Sequence, residues 1–386
     1  MKVLVLSVTA GEGHNSISKA VIQQLNEMGI ENKMIDILKK DKLRQFISND
    51  LYIYACKHMK KFLTGSYHSL QKRNPMKREH TPVNGMISTV KKEIYRQIEE
   101  YQPDVVFCTH IYSARLIGDY RKKFPNRKMK TVSILHDFTV HPYWETVIDL
   151  DYLLTPNSAF DATLEYKGYQ KKQLVETGLP VASKFSLEGD KKAARRKLGL
   201  DENRTTLMVM NGGFGVANNK KLLKQLDEID ADFQIILVNG RNEKSKKEVD
   251  ALLEKDKISK KVLNLGYSTV VDELMDASDC ILGKVGGVSV CEALNKRLPI
   301  IVVNEPPAQE YDNMKFLTEQ NAAIYIDKRK NFGKILKEYL SDTTKLEPLK
   351  ENIERLRRPN AARDAAAFMV RLAEENEKER LAEPSR

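Results

Sequence analysis

The sequence predicts an α/β protein of two doubly wound, Rossmann-like domains. Three observations carry that expectation. Short, mostly apolar runs recur with helical stretches between them, as expected for strands buried on both faces of a parallel sheet. Gly-rich and polar clusters follow the ends of several of these runs, where ligands bind in doubly wound sheets. The whole pattern restarts at about residue 204, after a polar, strand-poor stretch.

In chain order, the first half offers the strands KVLVLSV, KMIDIL, DVVFCTH, TVSILHD and DYLLTP. The second half offers TTLMVMNGG, FQIILVNG, VLNLGY, DCILGK, PIIVVN and AAIYID. Helices between successive strands imply parallel pairing through right-handed crossovers. The linker is placed near Thr177–Leu187, within the polar stretch. The expected domains are therefore residues 1–180 and 181–370, with a ligand cleft between them. The alanine- and charge-rich segment from Ala361 to Leu381 reads as a helix, whose end and tail fill 371–386.

Composition narrows the class. The 386 residues suffice for two domains, and 41% hydrophobic with 30% charged is the balance of a soluble globular chain. No run of about 18 apolar residues suggests a spanning helix, and the chain enters its first strand with no signal peptide. Cys56, Cys108, Cys280 and Cys291 are scattered without a CxxC pair, which argues against a zinc site or a disulfide framework and for a reducing cytoplasm. The net charge of +11 is concentrated: from Lys33 to His80 there are 12 Lys or Arg against 4 Asp or Glu. The same stretch holds Phe46, Tyr52, Tyr54, Phe62 and Tyr67, with Lys60 and Lys61 among its cations. Basic residues among aromatics suit an anionic membrane surface or nucleic acid; a solvated helix face is the plainer alternative.

Four clusters can carry chemistry. In TAGEGHNS, Gly11 and Gly13 permit a tight turn, Asn15 or Ser16 can cap the following helix, and His14 stands at its mouth. An imidazole there suits a proton acceptor at neutral pH, although a loop histidine bonding only backbone fits as well. NGGFGVANN, with Gly212, Gly213, Phe214 and Gly215, precedes a helix expected at Asn218 or Asn219, as an anion cradle or a tight turn. In the third cluster Gly286 and Gly287 precede a helix carrying Glu292, and PPAQEYDN presents Gln309 and Glu310. A carboxylate one turn into a helix can accept two sugar hydroxyls, and the Gln–Glu pair can take those of a second sugar, a combination suited to a nucleotide sugar. The fourth, HDFTVHPYW, holds Asp137, His141 and Trp144, in a spacing that is not a tight chelating pattern. Trp144 is either core or an aromatic at a membrane-facing rim.

Together these clusters resemble the monogalactosyldiacylglycerol synthase and processive diacylglycerol glucosyltransferase family, in a bacterial form. The family consists of GT-B glycosyltransferases, family 28-like, distantly similar to the enzyme that adds N-acetylglucosamine to make lipid II. The resemblance runs from Lys2 to about Val370. It rests on Gly11-Glu12-Gly13-His14, on Asp137-Phe138 with His141 and Trp144, and on Asn211-Gly212-Gly213-Phe214-Gly215. It rests also on the donor signature from Gly286-Gly287-Val288-Ser289 to Glu292-Ala293, and on Pro307-Ala308-Gln309-Glu310-Tyr311-Asp312-Asn313. Three positions depart from the family pattern: Ala308 for Gly, Val285 in Lys-Pro-Gly-Gly, and His136 for a common Thr.

The resemblance implies an inverting, UDP-sugar-dependent hexosyltransferase acting on a membrane lipid, with diacylglycerol the expected acceptor. His14 would be the base, with Asp137 the other candidate. Glu292 would take the ribose hydroxyls, Gln309 and Glu310 the hexose, and the backbone at Gly266 and Tyr267 the uracil. Helix N-termini near Gly287, Val288 and Ser289 and the Gly212–Gly215 turn would hold the diphosphate without an obligatory metal or other cofactor, and Asn313 completes the donor side. Gly13, His141, Trp144, Tyr52, Tyr54, Lys60 and Lys61 would face the acceptor and an anionic membrane. The first domain would bind acceptor and membrane, and the second the UDP-sugar. The expected partners are UDP-sugar, lipid and membrane, not nucleic acid, and the expected location is peripheral, at the inner face of the cell membrane. The alternatives are an N-acetylglucosamine transferase with another acceptor, a UDP-sugar epimerase of the same fold, and a non-catalytic basic binding protein.

Overall fold

The computed structural model describes residues 1–9, 13–38, 65, 67, 69–70, 90–210, 218–255, 257–327 and 331–381. Two compact units divide the chain: Met1–Ser183 with Arg358–Arg386, and Lys184–Arg357.

The first unit runs β1 (Lys2–Ser7), α1 (Gly13–Glu27), β2 (Glu31–Asp36), α2 (Lys91–Tyr101), β3 (Val105–Cys108), α3 (Ile111–Lys123), β4 (Lys130–Ile134), β5 (Tyr152–Thr155), α4 (Asp161–Tyr166) and β6 (Leu174–Glu176). Among the described residues these strands form one parallel sheet in the order β2-β1-β3-β4-β5-β6. Val3, Leu4, Val5 and Leu6 of β1 are all fully buried, so this central strand reads as a continuous apolar run rather than an alternating one. From β1 the chain goes to β2 on one side and later to β3 on the other. The carboxyl ends of β1 and β3 therefore form the topological switch point, where such sheets bind ligands. Strand β6 has no counterpart in the sequence reading. Its three residues, LVE, lie at the sheet edge in a polar stretch, too short to show a pattern.

The second unit runs α5 (Lys191–Lys197), β7 (Thr205–Met210), α6 (Asn219–Asp227), β8 (Phe233–Val238), α7 (Glu243–Leu253), β9 (Val262–Leu265), α8 (Val271–Asp276), β10 (Cys280–Gly283), α9 (Gly287–Asn295), β11 (Ile300–Val303), α10 (Gln309–Glu319), β12 (Ala323–Ile326), α11 (Phe332–Ser341) and α12 (Glu347–Leu356). Its described strands are again parallel, in the order β12-β11-β10-β7-β8-β9. Here the switch point lies between β7 and β10. Gly283 ends β10 so close to β7 that a Cβ there would collide with the Met210 carbonyl oxygen. Only glycine permits this approach.

The last helix, α13 (Ala361–Leu381), returns to the first unit. Ala365, Ala366 and Ala373 are fully buried and let it pack closely against α1. Asn376 Nδ2 donates to the Lys128 carbonyl at 3.2 Å. The sequence reading instead carried the second domain on to residue 370. An alanine-rich face fits any close helix neighbour, so composition did not say which sheet it would cover.

Candidate active site

At the first switch point the loop after β1 turns into α1, which starts at Gly13, so that His14 lies in the first helical turn. His14 is buried, and its Nδ1 lies 2.7 Å from the Thr109 carbonyl, just beyond β3. A carbonyl only accepts, so Nδ1 carries the proton and Nε2 keeps the lone pair. Asn15 and Ser16 fall inside the helix rather than at its cap. Asn15 instead ties the first turn of α1 to the end of β1, accepting from Ser7 Oγ at 2.7 Å and donating to Thr9 Oγ1 at 3.2 Å. Ser18 Oγ donates to the His14 carbonyl at 2.9 Å. The ring is thereby set on the two central strands.

Two further imidazoles enclose His14. His110 follows β3 and His136 follows β4, and each ring centroid lies 4.4 Å from that of His14, edge to face. His110 Nδ1 accepts from Tyr112 N at 3.0 Å, so its proton sits on Nε2. His136 Nε2 lies 3.2 Å from the Asp137 carboxylate. Burial and the neighbouring His136 push His14 down to about 3, while the Thr109 carbonyl and Asp137 act the other way. Burial likewise lowers His136 to about 4, and lowers His110 well below its ordinary value. This is a neutral imidazole cluster with a carboxylate at one side, with the His14 Nε2 lone pair free to receive a proton as a bound hydroxyl reacts.

Behind it, His141 Nδ1 accepts from Tyr143 N at 3.2 Å, and burial together with Lys167 lowers His141 to about 4. Tyr67, from the basic aromatic stretch, packs its ring 5.5 Å from His141. Trp144 corrects the rim alternative: it has no exposed surface and lies in the core, its ring 6.3 Å from His136. Its large apolar body is stabilised by enclosure and here backs the cluster. Tyr52, Tyr54, Lys60 and Lys61 lie outside the described residues. His110 was not singled out from the sequence, although it ends DVVFCTH just as His136 follows TVSIL.

In the second unit, Gly286 is the N-cap of α9 and offers no side-chain cap, so the first-turn N–H groups of Gly287, Val288 and Ser289 are open to an anion. Glu292 lies one turn on. Burial pushes its carboxyl up to about 8, opposed by Lys184 and reinforced by Asp272. Gln309 and Glu310 open α10. Lys284 Nζ holds Glu310 Oε1 at 2.6 Å. Asn313 is fully buried and donates through Nδ2 to the Val285 carbonyl at 2.8 Å, bracing the loop after β10. Gly266 and Tyr267 lie between β9 and α8, with Tyr267 exposed and the Arg241 guanidinium 5.1 Å from its ring centroid. Gly212, Gly213, Phe214 and Gly215 lie outside the described residues. The helix after them, α6, has Asn218 as its cap. Its first residue, Asn219, donates to buried Asn239 at 2.9 Å, and Asn239 donates to Asn264 at 2.7 Å. This amide chain joins the start of α6 to the ends of β8 and β9 and carries no sequence signature. Among the described residues, no group of three or more His, Cys, Asp or Glu is placed to hold a metal ion.

The chain matches known proteins in both units. The family described as monogalactosyldiacylglycerol (MGDG) synthase matches residues 14–181, and the glycosyltransferase family 28 C-terminal domain matches residues 206–370. A processive diacylglycerol beta-glucosyltransferase of Bacillus pumilus is 26% identical over 368 residues, covering 92% of this chain and 91% of its own. Among solved structures, Acinetobacter baumannii MurG aligns with a TM-score of 0.66 at 12% identity, over 96% of this chain and 99% of its own. A UDP-GlcNAc 2-epimerase from Neisseria meningitidis, bound to UDP-GlcNAc, aligns at 0.59 with 14% identity, over 97% and 100%. At these identities the solved structures establish a shared fold and nothing finer.

Proposed function

Since the chain belongs to the monogalactosyldiacylglycerol synthase family and continues into a glycosyltransferase family 28 C-terminal domain, we propose that this glycosyltransferase moves a hexose from a UDP-sugar to a membrane lipid hydroxyl, that of diacylglycerol in the first instance. The observation that carries the reading is His14, whose proton is fixed on Nδ1 by Thr109 and whose Nε2 lone pair lies at the switch point. The name of the Bacillus pumilus relative, a processive diacylglycerol beta-glucosyltransferase, supports diacylglycerol as acceptor and glucose as sugar.

The chemistry follows from this arrangement. The acceptor oxygen attacks the anomeric carbon as the bond to the diphosphate breaks, on the opposite face, so the configuration inverts. His14 Nε2 takes the hydroxyl proton in the same step. Burial makes His14 a weak base at rest, so proton transfer accompanies bond formation rather than preceding it. Asp137 favours the imidazolium as it forms, and is the second candidate base. On the donor side, Glu292 takes the ribose hydroxyls, Gln309 and Glu310 the hexose, and Gly266–Tyr267 the uracil. The N-terminal turn of α9 stabilises the departing diphosphate. Asn313 acts by holding the Val285 backbone. No described helix is long and apolar enough to cross a membrane. The charge of the Lys33–His80 stretch supports docking on an anionic leaflet.

Purified protein with diacylglycerol-containing anionic liposomes and UDP-glucose, UDP-galactose or UDP-N-acetylglucosamine tests the reading by mass spectrometry. Glycolipid should form with one donor, fall by about 100-fold or more in His14→Ala, and decline with salt as docking weakens. An epimerised nucleotide sugar without glycolipid, or no turnover of any donor, would overturn it.

A further inference from the structure

The ion pair between Lys284 and Glu310 stands where the donor's two polar ends would meet. Lys284 directly follows β10 and precedes Gly286, the N-cap of α9. Glu310 is in the first turn of α10. The pair is tight, 2.6 Å from Nζ to Oε1, with the lysine side chain 36% and the glutamate 18% exposed. Glu310 is only half satisfied, because its Oε2 is closed off from solvent with no hydrogen-bond partner. Oε1 is engaged by the ammonium and Oε2 is covered from solvent, so as the pair stands the carboxylate cannot offer both oxygens to sugar hydroxyls. The backbones on either side are fixed to one another, since Asn313 of α10 bonds the Val285 carbonyl next to Lys284. Only the two side chains need to move. The backbone beside the lysine is open, because a Cβ built on Gly286 meets no atom within 4 Å.

We propose that Lys284 is a positioning residue that exchanges partners when donor binds: its ammonium leaves Glu310 for the diphosphate at the start of α9, and the freed carboxylate turns to accept hexose hydroxyls. A partly exposed ion pair is weakly held, and a diphosphate offers more negative charge than one carboxylate. Glu310 gains hydroxyl donors in place of the lysine. The two halves of the donor are therefore read together. A nucleoside diphosphate without sugar takes Lys284 but leaves Glu310 with no donor, so Glu310 opposes its binding. This inference rests on the UDP-sugar reading above and predicts effects of opposite sign that the reading alone does not.

Calorimetric titration of the full chain with UDP and with UDP-glucose tests it. Glu310→Gln is expected to bind UDP tighter, by about threefold to tenfold, while UDP-glucose loses affinity relative to UDP by about tenfold, or about 1.4 kcal/mol. Lys284→Met is expected to weaken both ligands by about tenfold, and Lys284→Arg to recover most of that loss. Circular dichroism and thermal unfolding establish that each variant is folded. Unchanged or weaker UDP binding in Glu310→Gln overturns the exchange, as does undiminished UDP binding in folded Lys284→Met. Wild-type protein that binds neither ligand overturns the UDP-sugar reading itself, and the exchange with it.

Discussion

His14 is surrounded by groups that make a positive charge costly: His110 and His136 pack on either side, and only Asp137 and the Thr109 carbonyl favour the charged ring. The consequence for stability has a definite sign. In the unfolded chain each histidine titrates near about 6.5, whereas in the folded protein His14 titrates at about 3, and His136 and His141 at about 4. Between these limits the unfolded chain binds more protons. Stability is full above about pH 6.5 and is lost as the pH falls toward 4, at about 1.4 kcal/mol per pH unit for each group at most. Trp144 is the only tryptophan and is buried beside His136, so its fluorescence reports this unit. Thermal unfolding followed at Trp144 should show a falling midpoint from pH 7 to 5, with a shallower fall in His136→Thr. A midpoint flat over that range, with the fold intact, would mean that these imidazoles are not held neutral.

At the scale of elements, the turn into α10 carries strain that the sequence discloses once its geometry is known. Ala308 is the N-cap of α10 with φ 48° and ψ −125°, a left-handed conformation that glycine adopts freely and alanine does not. Ala308→Gly should raise the unfolding midpoint, reflecting about 1 kcal/mol, after the added freedom of the unfolded chain is subtracted from the relieved strain. A drop in midpoint would place the strain elsewhere. Elements were the most legible feature of the sequence. Long buried strands such as KVLVLS and FQIILV announce themselves because both faces are apolar. The LVE edge strand does not. The positions of candidate residues were legible where a glycine marks the passage from strand to helix, as with His14 after β1 and Glu292 after Gly286 and Gly287. His110, Lys284 and the Asn219–Asn239–Asn264 chain were not, because their roles depend on neighbours distant in sequence.

At the scale of the whole molecule, the first unit is closed by both ends of the chain. Glycine is required at position 178, where φ is +82° and a Cβ would collide with the Arg358 Cβ. Arg358 also pairs with Glu176 at 2.6 Å, and Lys130 with Glu379 at 3.1 Å. Removing residues 361–386 uncovers the buried alanine face and the side of α1 against which it packs. The truncated chain should lose several °C from the Trp144 transition and accumulate in the insoluble fraction. An unchanged transition would show that α13 is dispensable to the unit.

The same arrangement sets an order of events during synthesis. Lys184–Arg357 is one continuous segment and can complete its sheet once it leaves the ribosome. The segment made first keeps its α1 flank uncovered until the segment from Arg358 onward has been translated. The unit that begins with β1 therefore completes its packing only after the segment from Arg358 onward has been made, whereas the other unit needs no such wait.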